Sequence, residues 1–164
     1  MNKNNFKILV CESDLAIQEN ITEYLSSSGY TVETVKSNSE ILKTQKLQTS
    51  HIVILDCAES ENFTVDTIRE LHSVNSTIEI IVMLSNPTIR RIFRLVDSGI
   101  HNILIKPLSL NDIGTNIDKA INQYKEKYEF KVFLENRELI LKLLNDQGVQ
   151  VFEPQNRNIE TIEV

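Results

Sequence analysis

The chain has 164 residues, 41% of them hydrophobic, which is enough for one core of ordinary size and leaves little room for a second independent domain. Its formal charge of -6, with no run that gathers Lys and Arg into a stripe, argues against direct nucleic-acid binding. The apolar stretch after Met1-Asn2-Lys3-Asn4-Asn5 is too short for a signal-peptide core, and no run nears the roughly 20 apolar residues that cross a bilayer, so a cytoplasmic chain outside the membrane is expected.

In chain order, Phe6 to Cys11 is an apolar, β-branched run of strand length. Asp14 can cap a helix carrying Ile17, Ile21, Tyr24 and Leu25 on one face, which Gly29 ends in the left-handed conformation. Tyr30 to Val35 is a weaker, alternating strand, followed by a short helix over Ser37 to Gln48. His51 to Leu55 is a third strand, and Val65, Ile68, Leu71 and His72 have the spacing of a third helix. Ile78 to Leu84 is a fourth strand, after which Pro87 opens a helix running through Ile89, Ile92, Phe93 and Val96 to a stop at Gly99. Ile103 to Ile105 is a fifth strand, and Leu110 to Tyr124 a fifth helix with Ile113, Ile117 and Ile121 four apart. The strong strands are continuous apolar runs, as strands covered on both faces are. Strand and helix alternating five times over give an open, doubly wound α/β sheet.

Such sheets gather ligands and chemistry outside the carboxyl ends of their strands. There the sequence places Glu12, Ser13 and Asp14 after the first strand, Asp56 after the third, Ser85 after the fourth and Lys106-Pro107 after the fifth. Any one of these is an ordinary turn or cap residue; their joint occurrence at four strand ends has a chemical logic. Carboxylates from different strands suit Mg²⁺, Asp56 can attack a phosphoryl group, and Lys106 and Ser85 can offset charge on the phosphoryl oxygens.

These stretches resemble the receiver domains of two-component response regulators. Lys7-Ile8-Leu9-Val10-Cys11-Glu12-Ser13-Asp14 is similar to the family's first strand and acidic loop, and Ile54-Leu55-Asp56 to its phosphoacceptor strand. Val82-Met83-Leu84-Ser85 is similar to the strand ending in Ser or Thr, and Asp97-Ser98-Gly99-Ile100 with Ile103-Leu104-Ile105-Lys106-Pro107 to the stretch that carries the family's lysine. The resemblance covers residues 6 to 124. It implies a flavodoxin-like, doubly wound, five-stranded parallel sheet of order 2-1-3-4-5. It also implies Asp56, Ser85 and Lys106 as the phosphoryl-transfer residues and Glu12, Asp56 and Ala58 as the Mg²⁺ positions. The partner implied is a histidine kinase or phosphotransfer protein that phosphorylates Asp56, and the chain would signal by protein contact rather than act as an enzyme in its own right.

Several positions depart from the family pattern. Ser13 stands where the second acidic residue normally contacts the metal, so a weakened Mg²⁺ site is expected, with Asp14 as a possible substitute. Asn86 replaces a small residue, Ser60 and Thr64 replace the proline and glycine of the loop after the phosphoacceptor, and Ile103 replaces the switch aromatic. The alternative is therefore a pseudo-receiver acting as an interaction module without phosphorylation. Cys11 and Cys57 read as small buried hydrophobes, no nearby cation being apparent to activate either thiol.

Residues 1–124 are thus expected to form the receiver and 125–164 a helical extension with a polar tail. Phe133, Ile140 and Leu144, with Leu139 and Leu143 beside them, make an apolar stripe on a separate helix or on a continuation of the fifth with a stutter. Val149 to Phe152 reads as a short strand. The stripe either packs back on its own domain or is covered by a second copy in a homodimer or by a partner helix.

Overall fold

A computed structural model describes residues 3–44, 49–57, 61–100 and 102–148. It contains β1 (Lys7–Cys11), α1 (Leu15–Ser27), β2 (Thr31–Val35), α2 (Asn38–Ile41), β3 (Ile52–Asp56), α3 (Glu61–Val74), β4 (Glu79–Leu84), α4 (Ile89–Asp97), β5 (Asn102–Ile105) and α5 (Leu110–Asp146). The five strands form one sheet in the order β2-β1-β3-β4-β5, all neighbours parallel, as expected from sequence.

The continuous apolar runs are explained by burial on both faces. Ile8, Val10, Ile52, Ile54, Ile81, Met83 and Leu104 pack with Ile21 and Leu25 of α1 and Ile113, Ile117 and Ile121 of α5. Leu9, Cys11, Val53, Leu55, Ile80, Val82 and Leu84 turn the other way, onto Ile41 of α2, Ile68 and Leu71 of α3 and Leu95 of α4. Each such side chain contributes on the order of 1.5 to 3 kcal/mol of burial. Both cysteines belong to this second layer, as expected.

The local signals act as the sequence suggests at α1, where the Asp14 side chain accepts from the amides of Ala16 and Ile17 and Gly29 takes φ +92° after the last turn. Two helices differ. Pro87 precedes α4 without opening it: Thr88 is the N-cap, its hydroxyl accepting from Arg91 N. The helix expected over Ser37 to Gln48 is described only as α2, Asn38–Ile41, because 45–48 lie outside the described residues. Thr64 lies inside α3 and not in a loop, and it is fully buried.

Gly114 lets α1 and α5 approach closely, since a Cβ built there would stand 2.5 Å from the Tyr24 hydroxyl. The chain divides into two compact units, Met1–Tyr128 and Glu129–Val164. Of the alternatives for the C-terminal stripe, the continuation is found: α5 is one helix of 37 residues. In its second-unit part Phe130, Phe133, Leu134, Leu139, Ile140 and Leu143 are exposed. Val149 to Phe152 lie outside the described residues. No described helix is long and apolar enough to cross a membrane.

Candidate phosphoacceptor site

The register aligns the site. Val10 stands opposite Ile54 and Leu84 opposite Ile105, so Glu12, Asp56 and Lys106 leave their strands side by side on the face that carries α1 and α5. Ladder bonds continue one residue past the strands, from Glu12 N to Val35 O, Cys57 N to Met83 O and Lys106 N to Leu84 O, which fixes the three backbones.

Lys106 Nζ lies 2.6 Å from Glu12 Oε2 and 2.9 Å from Asp56 Oδ1. Glu12 and Asp56 are buried, with side-chain exposures of 1% and 7%, and the lysine is mostly covered at 14%. Burial alone would lower the lysine's pKa. The hydrogen bonds to Glu12 and Asp56, and the charges of both carboxylates, outweigh it and hold the ammonium above its usual value. The trio gathers two carboxyl groups and one ammonium in a largely buried cluster.

Glu12 is held further by Oε1, which accepts from Asp14 N at 3.0 Å. Gln18, buried in α1, donates through Nε2 to the carbonyls of Glu12 (2.8 Å) and Val35 (3.0 Å). Sequence reasoning passed over Gln18, although a polar residue on the Asp14, Gln18, Ile21, Leu25 stripe was a signal. It also passed over Arg91. The Nη2 of Arg91 is 3.1 Å from Cys57 O and 3.5 Å from Cys57 Sγ, so a cation does stand beside that thiol, contrary to expectation. Cys57 Sγ in turn donates to Thr64 Oγ1 at 3.3 Å.

Other expected site residues fall elsewhere. Ser85 falls on the same face by register, but its side chain is exposed, and the ion-paired trio is built without it. Asp14, the candidate substitute for the missing acid, is engaged in capping α1, and Ser13 is exposed. Ala58 and Ser60 lie outside the described residues. Two hard carboxylates fit a Mg²⁺ ion that keeps most of its waters. Among the described residues no third acidic, His or Cys ligand joins them.

The family model for the response regulator receiver domain matches residues 8–118. The chain belongs to the response-regulator receiver family. The transcriptional regulatory protein ZraR of Escherichia coli K12 is 24% identical over 121 residues, covering 74% of this chain and 27% of that protein. Response regulator MprA of Mycobacterium ulcerans is 26% identical, covering 73% of this chain and 51% of its own length. The chain thus spans about a quarter to a half of the curated relatives it matches. A CheY-like receiver domain from Methanospirillum hungatei has the same fold, with a TM-score of 0.65 at 20% identity over 74% of this chain and 98% of that one. Receivers are signalling modules of two-component systems, and the match puts this chain in phosphorelay signal transduction.

Proposed function

We propose that Asp56 accepts a phosphoryl group from a histidine kinase or phosphotransfer protein, and that residues 1–124 act as the phosphoacceptor unit. The observation that supports this is the Lys106 ammonium ion-paired with both Glu12 and Asp56 at the carboxyl ends of three strands. In the transfer, an Asp56 carboxylate oxygen forms the new P–O bond while the donor's P–N bond breaks. The electron pair stays on the imidazole nitrogen, which takes a proton from water. Lys106 then moves its hydrogen bond to the phosphoryl oxygens, and Ser85, at the rim, is within the same strand-end group to donate another. Mg²⁺, held by Glu12 and Asp56 with Ala58 as the third position, would supply charge neutralisation at those oxygens.

Incubation with acetyl phosphate and Mg²⁺, followed by intact mass, tests this. One added phosphoryl group is expected, and Asp56→Asn should abolish it; modification that persists in the variant removes the assignment. Ser13→Asp should increase the stabilisation that Mg²⁺ confers, because it returns an acidic ligand to the site.

The alternative, a phosphorylation-independent module, is favoured by one observation: Ser13 leaves the metal shell short of an acid while Lys106 is already ion-paired with both carboxylates. Unchanged mass in the acetyl phosphate experiment would select it.

For residues 125–164 we propose a homodimer segment. Phe130, Phe133, Ile140 and Leu143 are exposed on one helix, and pairing two copies would cover them. The beryllofluoride-activated NtrC4 receiver domain, 21% identical with a TM-score of 0.66 over 72% of this chain and 98% of that one, forms a dimer. Ile140→Glu with Leu143→Glu should convert the chain to a monomer by light scattering without lowering the receiver's melting temperature.

A further inference from the structure

Arg91 stands in the first turn of α4, four residues before the buried Leu95, so its side chain starts on the inward stripe of that helix. The guanidinium is forked between two loops. Nη1 donates to the carbonyl of Asn86 at 3.1 Å, and Nη2 donates to the carbonyl of Cys57 at 3.1 Å. One side chain therefore joins the residue directly after Asp56 to the loop after β4 and to the start of α4. Ordering a long, half-buried arginine costs rotamer entropy, and the planar fork offsets it because both bonds form from one fixed geometry.

The rest of α4 is lightly held. Of its nine residues only Leu95 is fully buried, while Ile89, Phe93 and Val96 are 75%, 64% and 40% exposed. A helix with so little buried area belongs to the low-stability end of a fold, where small changes in its ties move it. Ile103 on β5 packs into the core beneath this layer and offers no polar group for a tie.

We propose that Arg91 is a positioning residue which carries a change at Asp56, through the Cys57 carbonyl, to the exposed Ile89 and Phe93 face of α4. A phosphoryl group on Asp56 adds charge and acceptor oxygens next to the peptide that Arg91 holds. Any backbone shift of Cys57 then strains the fork and turns the first residues of α4. The inference rests on the phosphoacceptor role proposed for Asp56.

The chain has no tryptophan, so Phe93→Trp, at an exposed position, gives a single fluorescent reporter on that face. The reporter protein is treated with acetyl phosphate and Mg²⁺, and intact mass and emission are read on the same sample. The expected result is a mass increase of one phosphoryl group accompanied by an emission shift. With Arg91→Ala or Arg91→Lys added, the mass increase should persist while the shift falls at least two-fold, because the single nitrogen of a lysine lacks the two separate amino groups that Arg91 places on the Asn86 and Cys57 carbonyls. Circular dichroism selects the folded variant on which the result is read, and Arg91→Lys, which keeps the charge, serves if Arg91→Ala unfolds. A full shift in either modified, folded variant overturns the inference and leaves the phosphoacceptor reading standing, as does a mass increase without any shift in the reporter protein that retains Arg91. No mass increase in that protein overturns both.

Discussion

The two ends of the sheet solve burial differently. At the carboxyl ends, three ionised side chains share a covered pocket, Lys106 standing between Glu12 and Asp56. At the amino ends, rings do the packing: Phe6 meets His51 edge-on at 5.5 Å, His51 meets Tyr124 at 5.0 Å, and Tyr124 stacks on Tyr128 at 5.9 Å. One charged pair, Lys127 with Glu79 at 2.6 Å, sits at the rim of this end. Rings tolerate partial exposure and lose energy gradually when trimmed, whereas a buried charge loses its partner all at once. The end proposed to change state keeps the charges, and the opposite end keeps the rings.

The largest stability effect is expected from Phe6→Ala, since Phe6 is nearly fully buried: about 3 to 4 kcal/mol by urea unfolding at pH 8. Lys106→Met should cost about 2 to 4 kcal/mol at neutral pH, because two buried carboxylates are left facing each other. Glu12→Gln added to Lys106→Met should recover part of that loss; no recovery in the double variant would show that Glu12 is not sharing the lysine's charge.

The ring end has its own pH dependence. Burial lowers the pKa of His51, as it does that of His72, where Lys127 adds repulsion. A histidine whose folded pKa lies below the unfolded value of about 6.5 contributes stability that is present above 6.5 and is lost as pH falls through the folded pKa. His51 Nδ1 also accepts from Lys7 N at 3.0 Å, a bond the imidazolium cannot make. His51→Gln should therefore flatten the fall in melting temperature below pH 6.5.

The smallest effect should come from Lys127→Met, the same substitution as at Lys106 but at a residue 45% exposed: at most about 1 kcal/mol. It should also raise the His72 pKa, readable by NMR titration, by removing the repulsion from Lys127.

Much of the fold was legible because its signals are local or periodic. Continuous apolar strands, the Asp14 cap and the Gly29 stop all act within a few residues. Glu12, Asp56 and Lys106 were legible as strand-end residues, since the sheet rule places them without knowledge of distance. What escaped was tertiary. That Lys106 reaches both carboxylates and that Thr64 sits within α3 depend on where loops carry the chain. Arg91 was hidden for another reason: on a helix bearing Arg90 and Arg94 as well, an inward arginine looks like one more solvated charge.

The bond from Lys106 to Glu12 joins residues 94 apart in sequence, and Asp56 lies between them on the strand that β1 and β4 flank. Such a knot of long-range contacts closes late, after the entropy of the large loops has been overcome. β1 with β2 and β4 with β5 can each pair across one helical connection, and β3 joins the two pairs, setting Asp56 between Glu12 and Lys106. A partly opened chain therefore exposes its acidic side chains to water, and the pocket exists only where the whole sheet is assembled. Amide exchange at Lys106, whose N–H donates to Leu84 O, then reports the release of β5 from β4.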